Sequence, residues 1–120
     1  MALEDFTVDK NSVLQNTMFT VTLRMRNISN FGRFPGGQWG TALVDNNGNI
    51  AAVTGTINFG AVGPQGLTGS FGINSFVPET IEPGLYRLMS VIRPTGGEWD
   101  IIKRAAVGDG VPNSIDFEVR

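Results

Sequence analysis

The chain contains no cysteine and no histidine. Those absences remove the thiolate nucleophile, the imidazole general base, the usual zinc and copper ligands and any disulfide brace. Charge is sparse at 17% of residues and nearly balanced, with a formal net charge of −2. The nine Lys and Arg are scattered and form no basic stripe that would neutralise phosphates, so a nucleic-acid partner is not expected. No apolar run approaches the ~20 residues that cross a bilayer, which argues against membrane insertion. The opening Met1-Ala2-Leu3-Glu4-Asp5 lacks the basic and apolar regions of a signal peptide. Such a start suits a domain excised from a larger protein, with a Met added before its first strand.

What remains is the composition of a folded domain. The chain has 120 residues, of which 41% are apolar, enough for one core, so residues 1–120 are read as a single domain. The 16 glycines fall mostly between short apolar stretches, as turns do between strands. Helical periodicity is not evident. From Thr17 to Ile28, Phe19, Val21, Leu23 and Met25 alternate with Thr20, Thr22, Arg24 and Arg26, the period of a strand with one buried face. Phe6 and Val8 near the start and Ile115, Phe117 and Val119 near the end give two more strands. Further strands are expected at Gln38–Asp45, Ile50–Phe59, Leu67–Val77, Leu85–Arg93 and Trp99–Arg104. Asn46-Asn47-Gly48-Asn49 joins two of them as a hairpin turn. About eight strands at this spacing predict an all-β, immunoglobulin-like antiparallel sandwich. Its terminal strands, rich in Phe and Val, are candidates for exposed edges.

One turn is sharper than the others. Glu82-Pro83-Gly84-Leu85-Tyr86-Arg87-Leu88 runs directly into a strand, with the single Tyr near its start. Sandwiches place a tyrosine there so that its hydroxyl bonds back to the preceding backbone, and Tyr86 is read as such a tyrosine corner.

Three segments together, Phe19-Thr20-Val21-Thr22-Leu23-Arg24-Met25-Arg26-Asn27, Ala42-Leu43-Val44-Asp45-Asn46-Asn47-Gly48-Asn49-Ile50 and Pro83-Gly84-Leu85-Tyr86-Arg87-Leu88, resemble immunoglobulin-like accessory domains of Bacteroidetes exported proteins. The type includes those that follow streptopain-like cysteine peptidase domains, and Arg93-Pro94-Thr95-Gly96-Gly97-Glu98-Trp99 fits it too. The resemblance implies a non-catalytic module of a secreted, periplasmic or cell-surface protein. Such a module spaces, stabilises or docks a neighbouring domain of its own polypeptide, or another protein. A streptopain-like peptidase needs a Cys and a His, so no catalytic position is carried over, and the resemblance defines no binding residue.

The strongest candidate for recognition is Asn30-Phe31-Gly32-Arg33-Phe34-Pro35-Gly36-Gly37-Gln38-Trp39, an aromatic-rich loop at the end of a sandwich, where rigid sheets hold variable segments. Phe31, Arg33, Phe34 and Trp39, together with Trp99, form the candidate binding set. Exposed, they would stack on a glycan or anchor a protein; buried, Phe34 and Trp39 would plug the core. The alternative function is therefore a carbohydrate-binding module.

No catalytic, cofactor or metal residue is assigned. Glu98 and Asp100 alternate onto one strand face beside Trp99, a pair that could in principle serve glycoside hydrolysis but reads as a solvated face. Asp45-Asn46-Asn47-Gly48-Asn49 lacks the spacing of an EF-hand, although oxygen-rich loops at a sandwich end could hold calcium. Gly108-Asp109-Gly110 reads as a turn, and Asn27-Ile28-Ser29 matches a glycosylation sequon.

Overall fold

In the computed structural model, which describes residues 1–102 and 113–120, the regular elements are nine strands. These are β1 (Ala2–Val8), β2 (Ser12–Val13), β3 (Met18–Arg26), β4 (Gly37–Val44), β5 (Ile50–Phe59), β6 (Phe71–Phe76), β7 (Gly84–Pro94), β8 (Asp100–Ile101) and β9 (Ser114–Val119). A three-stranded sheet runs β1-β3-β6 and a six-stranded sheet runs β2-β9-β7-β4-β5, with β8 also on β7. The fold is an all-β, immunoglobulin-like sandwich.

The alternation in β3 sets the inner face. Phe19, Val21, Leu23 and Met25 are all buried, each stabilising the fold by about 1.5–3 kcal/mol relative to exposure. They meet the inner face of the larger sheet. Phe19 and Phe117 cross between sheets with ring centroids 4.8 Å apart, and Trp39 on β4 meets Phe71 of β6 edge-on at 5.5 Å. Val8 and Ile115 are half-buried against this core.

β4 departs from simple alternation, because Thr41, Ala42, Leu43 and Val44 are all buried. Consecutive burial means that both faces of the strand are covered. On the outer face Gly40 lies against the Trp99 ring, 3.4 Å from where a Cβ would stand, and Val91 of β7 beside it is also buried.

Several expected boundaries move. The predicted strand Leu67–Val77 contracts to β6; Leu67 makes an isolated bridge to Arg26, and Gly66 and Gly69 lie in the irregular segment before β6. Trp99–Arg104 contracts to β8, while Lys103, Arg104 and Gly108-Asp109-Gly110 lie outside the described residues. Asp100 and Ile101 pair with Ile92 and Val91, the Ile102 amide donates to the Ser90 carbonyl at 2.9 Å, and Ser114 pairs with Met89. β8 and β9 thus lie end to end along one side of β7. The expectation that both terminal strands are edges holds for β1 and fails for β9, which sits between β2 and β7. The chain leaves β1 at Asp9, whose carboxylate accepts from the Thr20 amide at 2.8 Å, and crosses to the other sheet as β2, covering β9.

A bulge in β5 ties the sheets together. Thr41 pairs with Gly55 but Ala42 pairs with Val53, so Thr54 is the extra residue. Its hydroxyl lies 2.7 Å from that of Thr41, which lies 2.8 Å from the Ser75 hydroxyl on β6. All three residues are buried, and the cluster spans both sheets. At Gly55 a Cβ would stand 2.8 Å from the Asn74 carbonyl oxygen, so only glycine lets β5 approach β6 this closely.

Thr41→Val keeps the shape and removes the hydroxyl common to both contacts. It is expected to destabilise the fold by about 1–3 kcal/mol, the cost of leaving buried polar groups short of a partner. Gly55→Ala is expected to cost a similar amount by overpacking. Urea unfolding of either variant within a few tenths of a kcal/mol of wild type would refute this role of the cluster.

Candidate recognition surface

The segment joining β3 to β4 is braced from inside by one amide. Asn27 is buried at the end of β3, where its Nδ2 donates to the carbonyls of Gly32 at 2.8 Å and Val62 at 3.0 Å. Its Oδ1 accepts from the Ser29 amide at 3.1 Å, and the Ser29 hydroxyl accepts from the Gly32 amide at 2.8 Å. Asn and Ser bond neighbouring backbone in this way because their side chains are short and polar. Both Nδ2 bonds are to protein, so the sequon at Asn27-Ile28-Ser29 is a structural brace and its amide is occupied.

A second loop, between β5 and β6, locks onto the first. Phe34 and Val62 exchange both backbone hydrogen bonds at 2.8 Å, and Phe34 stacks on Phe59 at 5.6 Å. Gln65 adopts a left-handed backbone with φ of 58°, an unfavourable conformation for a non-glycine residue. Its side-chain amide donates to the Ile28 carbonyl at 3.0 Å and the Asn30 side chain at 2.9 Å. Arg26 completes the brace, donating to the Gln65 carbonyl at 2.8 Å and pairing with Glu4 at 2.6 Å.

The candidate residues separate on this frame. Phe31 is 95% exposed at the loop tip, and Arg33 nearby in the loop is exposed as well. Ile28 and Leu67, from the two braced segments, also expose apolar surface. Phe34 is half-buried against Phe59. Trp39 is a correction: it lies on β4 at 0% exposure, and its indole N–H donates to the Ser90 hydroxyl at 2.6 Å. It belongs to the core and leaves the binding set. Trp99 is half-buried with the Arg93 guanidinium 4.3 Å from its ring centroid, and Arg93 is held in turn by Gln38. One face of that ring is therefore taken.

Other candidates resolve into turns. The Tyr86 hydroxyl donates to the Glu82 carbonyl at 2.7 Å, the geometry of a tyrosine corner. The Asp45 carboxylate accepts from the amides of Asn47 at 2.9 Å and Asn49 at 3.0 Å, and Gly48 takes a φ of 81°; these residues form the hairpin. Glu98 precedes β8 and only Asp100 belongs to it, so the two carboxylates do not share a strand face. Among the described residues no group of three or more Asp or Glu gathers where it could hold a metal ion.

Sequence reasoning missed Asn27, Gln65 and Val62 as the frame of the loop. The available signal was Asn27 two residues before Ser29, a pattern of local side-chain-to-backbone bonding; the bonds to the 62–66 segment are long-range and leave no local signature.

No protein-family model matches the chain, and no curated protein does either. Two solved structures are similar in backbone. One is a CARDB domain from Pyrococcus furiosus in complex with di-metal ions, at 14% identity and a TM-score of 0.45 over 98% of this chain and 88% of that one. The other is the alkylpurine DNA glycosylase AlkC of Pseudomonas fluorescens bound to DNA, at 11% identity and a TM-score of 0.50. That match covers 99% of this chain and 30% of the glycosylase. At such identities the likeness is one of fold.

Asn27→Ala is expected to cost about 2–3 kcal/mol, three side-chain hydrogen bonds at about 1 kcal/mol each. Phe31→Ala should stay within about 0.5 kcal/mol of wild type, since an exposed side chain contributes little to folding. Chemical denaturation distinguishes the two. In Trp99→Phe the remaining Trp39 emission should be blue-shifted and resistant to acrylamide; ready quenching in the folded protein would contradict its burial.

Proposed function

We propose that this chain is a non-catalytic accessory module of an exported or cell-surface bacterial protein, docking a neighbouring domain or a separate protein through the Phe31 end of the sandwich. A peptidase domain is one such neighbour. The observation that carries the reading is Phe31, 95% exposed on a loop whose backbone is fixed from both sides. Leaving a Phe side chain in water forgoes about 1.5–3 kcal/mol of burial, which a partner's pocket would recover. A loop already held in place loses little entropy on binding. β1 begins at this end, where Ala2 pairs with Arg26, so a domain joined ahead of β1 would emerge beside Phe31.

The carbohydrate-binding alternative requires at least two aromatic platforms on one surface. Trp39 is buried, Phe34 is stacked on Phe59, and Arg93 lies over Trp99. Those contacts favour a protein partner, for which one aromatic anchor with an apolar surround suffices.

The test is photocrosslinking in the intact natural polypeptide, with p-benzoylphenylalanine replacing Phe31 and, as a control, Thr7 on the exposed side of β1. Adducts to protein from position 31 and none from position 7 are expected. Absence of a protein adduct at 31, or glycan-array binding that Phe31→Ala abolishes, would overturn the docking reading.

A further inference from the structure

None of the eleven Asp and Glu or nine Lys and Arg falls between Asp45 and Glu79. The fold gathers this uncharged stretch onto one flank. β5 and β6 are the end strands of their respective sheets, and they approach each other where Gly55 lies against Asn74. Among the described residues no strand pairs with the outer edge of β5, which runs for ten residues without a charge or a proline.

Edge strands are ordinarily guarded by charge, proline, short length or a bulge. β1 carries Glu4, Asp5 and a bulge, and β2 is two residues long. β5 has only irregularities at Ala51 and Thr54, both toward its start, which leave Thr56 to Phe59 as a regular segment beyond them.

We propose that this flank is a self-association surface, on which a second copy of the chain docks through its own β5. Charge favours that occupant. Desolvating a charge without a partner is costly, and two copies meeting through this flank strand none and oppose no like charges. The exposed side chains Ala51, Thr56 and Asn58 are small enough for backbones to approach. The contact would be isologous, closing at a dimer.

The test is sedimentation velocity of the 120-residue chain from about 10 µM to 1 mM, the range of weak dimers, with hydrogen exchange at both ends of the range. Wild type should shift toward dimer with concentration, and amides in Ile50–Phe59 should gain protection. Thr56→Lys and Asn58→Lys, which place like charges across the contact, should raise the dissociation constant at least tenfold while melting as wild type does. Thr7→Lys on the β1 edge and Phe31→Ala should dimerise normally, which separates this surface from the Phe31 site. A wild-type chain monomeric throughout, a dimer that survives both β5 substitutions, or one lost equally in Thr7→Lys overturns the proposal.

Discussion

The two sheets are held together without a covalent bond, and the packing around Trp39 carries that burden. In antibody sandwiches the corresponding tryptophan packs on a disulfide joining the two central strands, with the corner tyrosine two residues before the second cysteine. Here Tyr86 stands two residues before Leu88, a fully buried leucine. Trp39 packs edge-on against Phe71 and Phe59 and satisfies its indole N–H through Ser90. A disulfide closing a loop of several tens of residues would stabilise by about 4 kcal/mol. Two or three fully buried large side chains, at about 1.5–3 kcal/mol each, supply as much. Their geometry must be kept, because dispersion contacts fall off within an ångström.

From that core the rest of the architecture follows by constraint. Trp39 and Leu43 face inward from β4, so Thr41 between them must face inward too, bringing a hydroxyl into an apolar layer. The bulge at Thr54 and the serine at position 75 answer it. The same bulge changes which β5 residues face the core, from Ala52 before it to Ile57 and Phe59 after it. Phe59 then supports Phe34, so the loop that carries Phe31 is anchored through β5 to the central packing. A change at Thr54 would therefore be felt at the loop end of the sandwich.

The fold was legible in the sequence to the extent that its signals were local. The period-two pattern of β3, the Asn-Gly hairpin and the turn before Tyr86 each involve residues a few positions apart, and each placed its element correctly. Pairing partners were less accessible, because alternation tells which face is buried and not which strand lies alongside. β9 was therefore expected at an edge when β2 covers it. The bulge at Thr54 is invisible for a related reason: the hydroxyl it meets lies on another strand, at Thr41 of β4. In the candidate binding loop, composition could not separate exposed Phe31 from buried Trp39. Both are aromatics in a glycine-rich run, and their fates differ because Trp39 is the third residue of β4, where the pleat turns it inward.

The two surfaces differ in the physics available to them. The Phe31 end offers one large side chain on a fixed backbone, an arrangement that would suit a shaped pocket on a partner. It is maintained at a cost, since Gln65 is held in a left-handed conformation and a phenylalanine stands in water. Strain of that kind persists where surrounding bonds over-determine it, as the contacts from Gln65 to Ile28 and Asn30 do. The β5 flank offers backbone donors and acceptors with small side chains, which recognise another strand with little regard to its sequence. Selectivity there must come from what the strand lacks, because a charged partner edge would lose hydration on docking and recover nothing. An uncharged copy of the same edge avoids that loss, so the absence of charge from Asn46 to Pro78 acts as a filter as much as an attraction.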